Sequence, residues 1–295
     1  MGRIFRKRLK VRRKASKETK LPEEKPVELQ AEGVLTPAEQ AETYRGLVSR
    51  LTEALLRNYA SDGDRKKNLI FSPYSILTLL YMAADASGGT TREEILNAVA
   101  GGLDLDRVRR MQAALTEAIA GSEDLLCSNA VCVREDLKDT VRPDYPETLR
   151  KYFSGELFSS ADMVGDVNAW VREKTKNMID GILDDSMQEI LLCLANAIAF
   201  QADWKEQYRE DDIYDELFVN ADGTSSELPM LHSTEYAYVE DEAFTGFVKP
   251  YKDDRFSFMA LLPKQDSYEG LLQTPADFST RYKARQSCDV QVYMP

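Results

Sequence analysis

His232 is the only histidine in the chain, and this limits the chemistry that the sequence can support. Nucleophilic serines and cysteines are usually activated by a histidine base, and many zinc sites combine histidines with cysteines. We therefore expect no histidine-based catalytic triad and no His-rich metal site. A structural or surface role is the simplest interpretation of His232.

Four cysteines offer the next candidates for chemistry, and none of them forms a Cys-x-x-Cys pair. Cys127 and Cys132 are five residues apart in a strand-like run, so their side chains are expected to point to opposite faces of a strand. Their scatter predicts free, mostly buried thiols rather than a disulfide framework. The remaining two are Cys193 and Cys288.

Clustered acidic residues could in principle provide acid–base pairs or metal ligands. The clusters are Asp184–Asp185, Glu210–Asp212 and Asp253–Asp254. Each is flanked by turn-like sequence, so charged turns are the preferred interpretation. The chain also contains no Walker loop, no Rossmann fingerprint and no nucleophile elbow. We expect no catalytic residues, no cofactor and no metal.

Small polar residues interrupt two apolar runs, residues 71–75 and 196–204. Ser72 followed by Pro73 predicts a helix N-cap and first helical position. Ser75 has no comparable local role, and an unpaired buried hydroxyl costs about 1–3 kcal/mol. Asn196, an amide inside an apolar strand, is its natural candidate partner. The alternative is a passive cap and an unrelated buried asparagine.

The formal net charge of −12 conceals a basic arm on an acidic body. Residues 1–20 carry ten Lys or Arg and one Glu, which leaves about −21 on the rest. An acidic body argues against nucleic acid as the main partner. The arm is interpreted as a tail, with a nucleic-acid or acidic-membrane contact as the alternative. No signal-peptide h-region and no membrane-spanning apolar run are visible.

Periodicity predicts helices in the first half of the chain and strands in the second, so the class is α+β. The predicted helices start near residue 37, at Ser72 and at a Thr91–Glu94 capping box, and cover 103–119, 143–153, 166–183, 268–272 and 276–282. The predicted strands are 68–71, 125–133, 190–201, 217–220, 228–231, 236–240, 244–251, 256–262 and 288–294. The apolar run 190–201 is interpreted as a long central strand buried on both faces.

Several of these segments, in this order and spacing, resemble the serpin family. They are residues 68–75, 88–95, 129–131, 167–171 with Thr175 and Ile179, 196–204, 229–231, 250–251 and 261–263. The resemblance covers roughly residues 40–295. It implies a charged tail over 1–37 and an incomplete serpin domain over 38–295. In that fold, N-terminal helices pack on a large central sheet A, with additional antiparallel sheets B and C.

The activity that the resemblance implies is suicide inhibition of serine or cysteine proteases. A reactive loop is cleaved and then inserts into sheet A as an extra strand, carrying the trapped protease with it. By the same resemblance, Ser72, Ser75 and Asn196 form the shutter where the strands separate, and Trp204 marks the breach where the loop enters. The resemblance also implies that Asn168 and Trp170 are packing residues of helix F, the helix that lies across sheet A in that family.

The resemblance also implies what the sequence lacks. The fifth strand of sheet A, the reactive loop and the shutter histidine would follow Pro295, so we expect a truncated inhibitor. A target protease would then be bound only with the missing loop, and the monomer would be aggregation-prone. The resemblance implies an extracellular location, whereas no signal peptide is visible in the sequence. The alternatives are a non-inhibitory serpin-fold binding or storage protein, an inactive fragment or, least favoured, an unrelated enzyme.

Overall fold

The computed structural model describes residues 10–12, 35–61, 69–220, 223–264 and 277–295. The helices, in chain order, are α1 (Pro37–Ser61), α2 (Pro73–Ala86), α3 (Gly89–Val99), α4 (Leu105–Ile119), α5 (Tyr145–Phe153), α6 (Met163–Lys174) and α7 (Phe278–Lys283). The strands are β1 (Lys10–Arg12), β2 (Leu125–Arg134), β3 (Gly155–Ser160), β4 (Leu192–Phe200), β5 (Ile213–Val219), β6 (Ser225–Glu240), β7 (Phe244–Pro250), β8 (Ser257–Pro263) and β9 (Gln286–Met294).

The chain divides into two compact units. The first, here called the helical unit, comprises residues 31–52 and 66–201. The second, the sheet unit, comprises residues 1–30, 53–65 and 202–295. The predicted tail over 1–37 falls mostly outside the described residues; Lys10–Arg12, the described part before residue 35, forms a strand.

Several helix starts follow from capping side chains. The hydroxyl of Ser72 accepts a hydrogen bond from the backbone N–H of Ser75 at 3.2 Å, and Pro73 occupies the first turn of α2, as predicted. Asp104 caps α4 in the same way, through the N–H of Arg107 at 2.8 Å. Such caps satisfy N–H groups that have no partner inside the helix.

Two predictions near these starts are wrong. The Thr91–Glu94 box does not begin a helix, because α3 starts two residues earlier at Gly89 after an extended Gly88. The expected strand at 68–71 is irregular over its described residues, and Ile70 is 94% exposed. An apolar side chain alone does not form a strand without a neighbour to pair with.

The sheet of the helical unit has the order β3-β2-β4, with β2 parallel to β3 and antiparallel to β4. One face packs on the cluster formed by α2, α4 and α5, in which Leu77, Tyr81 and Phe153 are fully buried. The other face packs on α6 through small residues such as Ala130 and Ala195, which leave room for the large ring of Trp170.

The strand predicted over 190–201 is shorter than expected and lies at an edge. β4 spans Leu192–Phe200 and pairs with β2, and the described residues contain no strand on its other side. Burial alternates along it, and Leu192 and Phe200 at its two ends are 48% and 38% exposed. An apolar run alone does not distinguish a central strand from an edge strand.

The helix predicted over 166–183 is also too long. α6 ends at Lys174, and Lys176 and Asn177 adopt left-handed backbone angles, with φ of 50° and 63°. Both the Thr175 hydroxyl and the Asn168 amide bind the backbone beyond the helix. The apolar residues Met178 and Ile182, which suggested continued helix, are 45% and 46% exposed.

The sheet unit contains strands in the order β1-β9-β6-β7-β8, with β5 also paired to β6. The hairpin of β7 and β8 and the strand at β9 confirm the predictions for 244–262 and 288–294. The separate strands predicted at 228–231 and 236–240 are instead one 16-residue strand, β6, with an irregularity between Glu235 and Ala237. Of the two late helices, α7 is present and 268–272 lies outside the described residues.

Among the described residues, no helix combines the length and the apolar character needed to cross a membrane.

Candidate functional site

Two asparagines face each other across β2 and β4 in the helical unit. The register pairs Asn129 with Asn196, and the Nδ2 of Asn196 donates to the Oδ1 of Asn129 at 2.7 Å. The N–H groups of Gln201 and Arg134 donate to the carbonyls of Asp124 and Leu191, so these two cross-strand pairs are hydrogen-bonded pairs. Hydrogen-bonded and non-hydrogen-bonded pairs alternate between them. Asn129 and Asn196 therefore occupy a non-hydrogen-bonded position, where opposing side chains approach most closely.

The asparagine pair connects the sheet to a helix end. Asn129 is 2% exposed, and its Nδ2 donates to the backbone carbonyl of Phe153 at 2.7 Å. Asn129 thus both accepts from Asn196 and donates to the last residue of α5. The Oδ1 of Asn196 is buried and has no hydrogen-bond partner among the described residues. This oxygen is an acceptor for which a further donor would be favourable.

Cys127 and Tyr74 lie next to the asparagine pair on the face of the sheet that packs against α2. The Cys127 Sγ lies 3.8 Å from the Oη of Tyr74, and the Asn196 Nδ2 lies 3.7 Å from the same sulfur. Burial raises the pKa of the Cys127 thiol and raises the pKa of Tyr74 to about 12. Tyr74, Cys127 and Asn129 also line a cavity of about 230 Å³. All these side chains are uncharged at neutral pH, so the cluster is a polar but neutral network.

Ser75 is not the partner of Asn196. Its backbone N–H is capped by Ser72, whereas the Asn196 amide is directed to Asn129. Within the described part of the chain, neither serine hydroxyl bonds to Asn196. The structure therefore brings Asn196 together with Asn129, and it gives Ser72 the capping role that the sequence predicts.

Asn168 bonds α6 to the loop that follows it, and Trp170 bonds α6 to β3. The Asn168 side chain accepts from the N–H groups of Ile182 and Leu183 at 2.8 and 3.0 Å and donates to the carbonyl of Leu183. The Trp170 indole is buried against the sheet, and its Nε1 donates to Glu156 at 2.6 Å. Burial raises the pKa of Glu156, but the bonds from Trp170 and Lys174 outweigh it, and the net shift is downward.

Trp204 lies in the sheet unit and packs on the β7–β8 hairpin. Its ring stacks on Tyr251 with a centroid distance of 4.4 Å and an interplanar angle of 10°, and it meets Phe258 edge-on at 5.9 Å. Trp204 and Tyr251 also form an isolated antiparallel bridge. Aromatic pairs in these geometries contribute about 0.5–1.5 kcal/mol beyond their buried area.

Lys249 and Glu235 form a buried ion pair beside Trp204, and the sequence analysis did not predict it. The Nζ of Lys249 lies 2.6 Å from Glu235, which also accepts from the Ser233 hydroxyl at 2.7 Å. Both charged side chains are less than 10% exposed. The same ammonium lies over the rings of Tyr208 and Trp204, at 4.7 and 5.6 Å. A lysine inside the apolar strand at 244–250 was the available signal for this pair.

The histidine, the cysteines and the acidic clusters that the sequence offered as candidates for chemistry make packing contacts and hydrogen bonds within the fold. His232 stacks on Tyr214 at 3.8 Å, with its Nδ1 2.8 Å from the tyrosine hydroxyl. All four cysteines are free; Cys127 faces α2, and Cys132 packs against α6, as the spacing predicts. Asp184 and Asp253 bind backbone N–H groups of turns. In the described ranges, no group of three His, Cys, Asp or Glu residues could hold a metal ion.

Comparison with known proteins places these observations in one family. A family model described as Serpin (serine protease inhibitor) matches residues 47–295. An uncharacterized serpin-like protein of Thermococcus kodakarensis is 29% identical over 223 residues, covering 72% of this chain and 51% of that protein. Serpin-Z3 of Arabidopsis thaliana is 27% identical over 249 residues, covering 79% of this chain and 63% of that protein.

The fold agrees with the sequence matches. The structure of the thermophilic serpin tengpin in its latent state superposes with a TM-score of 0.74 at 26% identity, covering 86% of this chain and 70% of that one. An α+β chain with a mixed sheet, an antiparallel sheet and this match along residues 47–295 is a serpin-type protein. The chain belongs to the serpin family, and it spans about half the length of the first curated relatives that it matches.

Proposed function

We propose that the chain contributes the strand-accepting sheet of a serpin-type inhibitor of serine or cysteine proteases. The observation that carries the proposal is the outer edge of β4, a nine-residue apolar strand with no second partner among the described residues. An extended segment can add to such an edge through backbone hydrogen bonds. In the proposed mechanism, a cleaved reactive loop supplies this segment and carries the acylated protease with it.

The residues around β4 have proposed roles in this process. Asn196 would act in the shutter, because its Oδ1 is a buried acceptor that a donor on an adjacent strand would satisfy. Ser72 would anchor the start of α2 beneath the same sheet, and Ser75 would join the shutter only when a further polar partner is present. Trp204 would act at the breach. Asn168 and Trp170 would keep α6 in place while the sheet rearranges.

The partner in this proposal is the protease, and the reactive loop would be provided outside residues 1–295. Because the chain covers only 51% and 55% of the first two relatives, their complete activity is a proposal for this protein. One serpin domain over residues 38–295 and a monomeric state in solution belong to the same proposal. The alternative is a non-inhibitory serpin-fold binding or storage protein, or an inactive fragment.

The decisive experiment uses the product translated from the complete reading frame. It is incubated with a panel of serine and cysteine proteases, and the mixtures are analysed by denaturing gel. An inhibitor gives a complex that survives SDS, because the protease is held as an acyl-enzyme. The control is the same protease with its nucleophile replaced by alanine, which should give no such complex. Clean cleavage with every active protease would reject inhibition and favour the alternative.

A further inference from the structure

Two cysteines lie directly opposite each other in the sheet of the helical unit. The register of β2 against β4 pairs Cys132 with Cys193, and both are free thiols. The pair two residues further along β2, Arg134 with Leu191, is hydrogen-bonded. Hydrogen-bonded pairs recur at every second residue, so Cys132 and Cys193 form one as well. Directly opposed residues place their side chains on the same face of the sheet.

The face that carries the two thiols packs against α6. Cys132 is 1% exposed and packs with Met163 and Val167, and Cys193 is a partly buried member of the same cluster. Burial raises the pKa of both thiols. The pKa of Cys132 reaches about 12, and the neighbouring Cys193 thiol contributes to that rise. The two sulfurs are therefore close enough to influence each other.

The spacing of the two strands at this position suits a disulfide. Opposed Cα atoms in a hydrogen-bonded pair lie about 5.5 Å apart, and disulfides most often span about 5.5–6 Å between Cα atoms. The Cβ atoms of opposed residues lie about 4.5–5.5 Å apart, whereas a disulfide brings them to about 3.8 Å. The bond needs a small inward movement of one strand. β4 can make this movement, because among the described residues no strand pairs with its outer edge.

We propose that Cys132 and Cys193 are a reversible oxidation site, which a low-molecular-weight disulfide converts into a covalent bond between β2 and β4. The thiolate of Cys193, the more accessible of the two, attacks one sulfur of the reagent and releases the other half as a thiolate. The thiolate of Cys132 then attacks the Cys193 sulfur, and the second half leaves. Each leaving thiolate takes up a proton that a cysteine lost. Two protein thiols are thus oxidised, and one reagent disulfide is reduced to two thiols.

The bond would connect the two ends of a long segment. It closes a loop from Cys132 to Cys193 that contains α5, β3 and α6. Closing a long loop restricts the unfolded chain more than the folded one, so the oxidised helical unit should be the more stable form. Cys127 provides a matched comparison on the same strand, because it lies on the opposite face and is paired with Ile198.

The test uses the full 295-residue chain in two variants that each retain two cysteines. Cys127→Ala with Cys288→Ala keeps the proposed pair, whereas Cys132→Ala with Cys288→Ala keeps two cysteines on opposite faces of the sheet. Each folded variant is incubated with oxidised glutathione, and the thiols that remain are labelled with N-ethylmaleimide in denaturant and counted by intact mass. We expect the first variant to form at least about tenfold more intramolecular disulfide than the second.

Urea unfolding tests whether the bond fits the folded sheet. The oxidised first variant should unfold at a higher urea concentration than its reduced form, and dithiothreitol should reverse the shift. Peptide mapping of the oxidised wild type should identify a link between Cys132 and Cys193. The proposal is overturned if the retained pair stays reduced or gives only mixed disulfides with glutathione, or if oxidation does not raise the urea midpoint. These measurements involve no protease, so their outcome is independent of the proposed inhibition.

Discussion

At the residue scale, Asn129 satisfies two polar groups with one side chain. It accepts from the Asn196 amide and donates to the carbonyl of Phe153, both at 2.7 Å. At 2% exposure, water cannot readily replace these bonds. We expect Asn129→Ala to lower the free energy of unfolding by about 2–3 kcal/mol, since two buried groups lose their partner. Urea unfolding monitored by circular dichroism measures this loss.

The neighbouring Ser128 provides the control for that substitution. Its side chain lies on the opposite face of β2, and Ser128→Ala should change stability by no more than about 0.5 kcal/mol. Asn196→Ala should cost less than Asn129→Ala, because the Asn196 Oδ1 has no hydrogen-bond partner among the residues that the structure describes. Equal losses for Asn129→Ala and Ser128→Ala would mean that the asparagine pair contributes nothing to the sheet.

Cys132 provides a pH-dependent contribution to stability. Burial raises the pKa of its thiol from the ordinary 9.0 to about 12. The folded state therefore favours the neutral thiol, and its contribution is complete below about pH 9 and is lost as pH rises toward 12. Above pH 9, the wild type should lose up to about 1.4 kcal/mol per pH unit more than Cys132→Ala. Urea midpoints at pH 8–11 measure the difference, and parallel pH profiles would contradict it.

The need for a partner at Asn196 could be predicted from the sequence, but its identity could not. An amide in an apolar strand indicates a buried polar contact. Which group it meets depends on the register of β2 against β4, and that register places Asn196 opposite a residue 67 positions earlier in the chain. The ion pair of Lys249 and Glu235 was missed for a related reason, since an alternating strand pattern does not show which polar residues face each other.

At the element scale, the first turn of α2 contains one serine that caps the helix, Ser72, and one whose hydroxyl does not, Ser75. Ser72→Ala removes the acceptor for the Ser75 N–H and should cost about 1 kcal/mol. In this chain, Ser75→Ala removes only a hydroxyl without a role in the cap, so its cost should stay within about 0.5 kcal/mol. Thermal unfolding of both variants gives the comparison. A larger loss for Ser75→Ala than for Ser72→Ala would indicate that the Ser75 hydroxyl is engaged in the network.

The buried ion pair joins Glu235 of β6 to Lys249 of β7, and removing one or both charges should change the free energy of unfolding by different amounts. Lys249→Met leaves the Glu235 carboxylate buried without its cation and should cost about 3–5 kcal/mol. Adding Glu235→Leu should recover most of that loss, because no unpaired charge remains. Chemical denaturation of the single and double variants measures both steps. A double variant no more stable than Lys249→Met would show that the pair is needed for more than charge balance.

Caps and alternation account for the elements that the sequence predicted well, such as α2, α4 and the β7–β8 hairpin. Where prediction was wrong, tertiary contacts decided the outcome. Side-chain bonds from Thr175 and Asn168 end α6 early. Pairing with β5, β7 and β9 keeps β6 continuous across residues 232–235, which the sequence prediction left unassigned between two strands. β3 was not predicted because it depends on its parallel pairing with β2.

At the scale of the whole molecule, two strand edges differ in how they are covered. The outer edge of β9 has a strand from the N-terminal arm, whereas β4 has none in the described part of the chain. At this scale the family resemblance was sufficient to predict the fold, because several short motifs in a fixed order are specific even when each motif alone is weak. Strand order and edge positions needed the structure, since they arise from pairings between distant segments.

Strand addition at β4 is the central claim, and hydrogen exchange tests it most directly. The chain is incubated with an extended Thr/Ala-rich peptide of about ten residues, long enough to pair along β4. The control peptide has the same composition plus a central proline. We expect the first peptide to slow exchange of amides in 192–200 by about tenfold and the control to leave them unchanged. Unchanged exchange with both peptides would contradict a strand-accepting edge at β4.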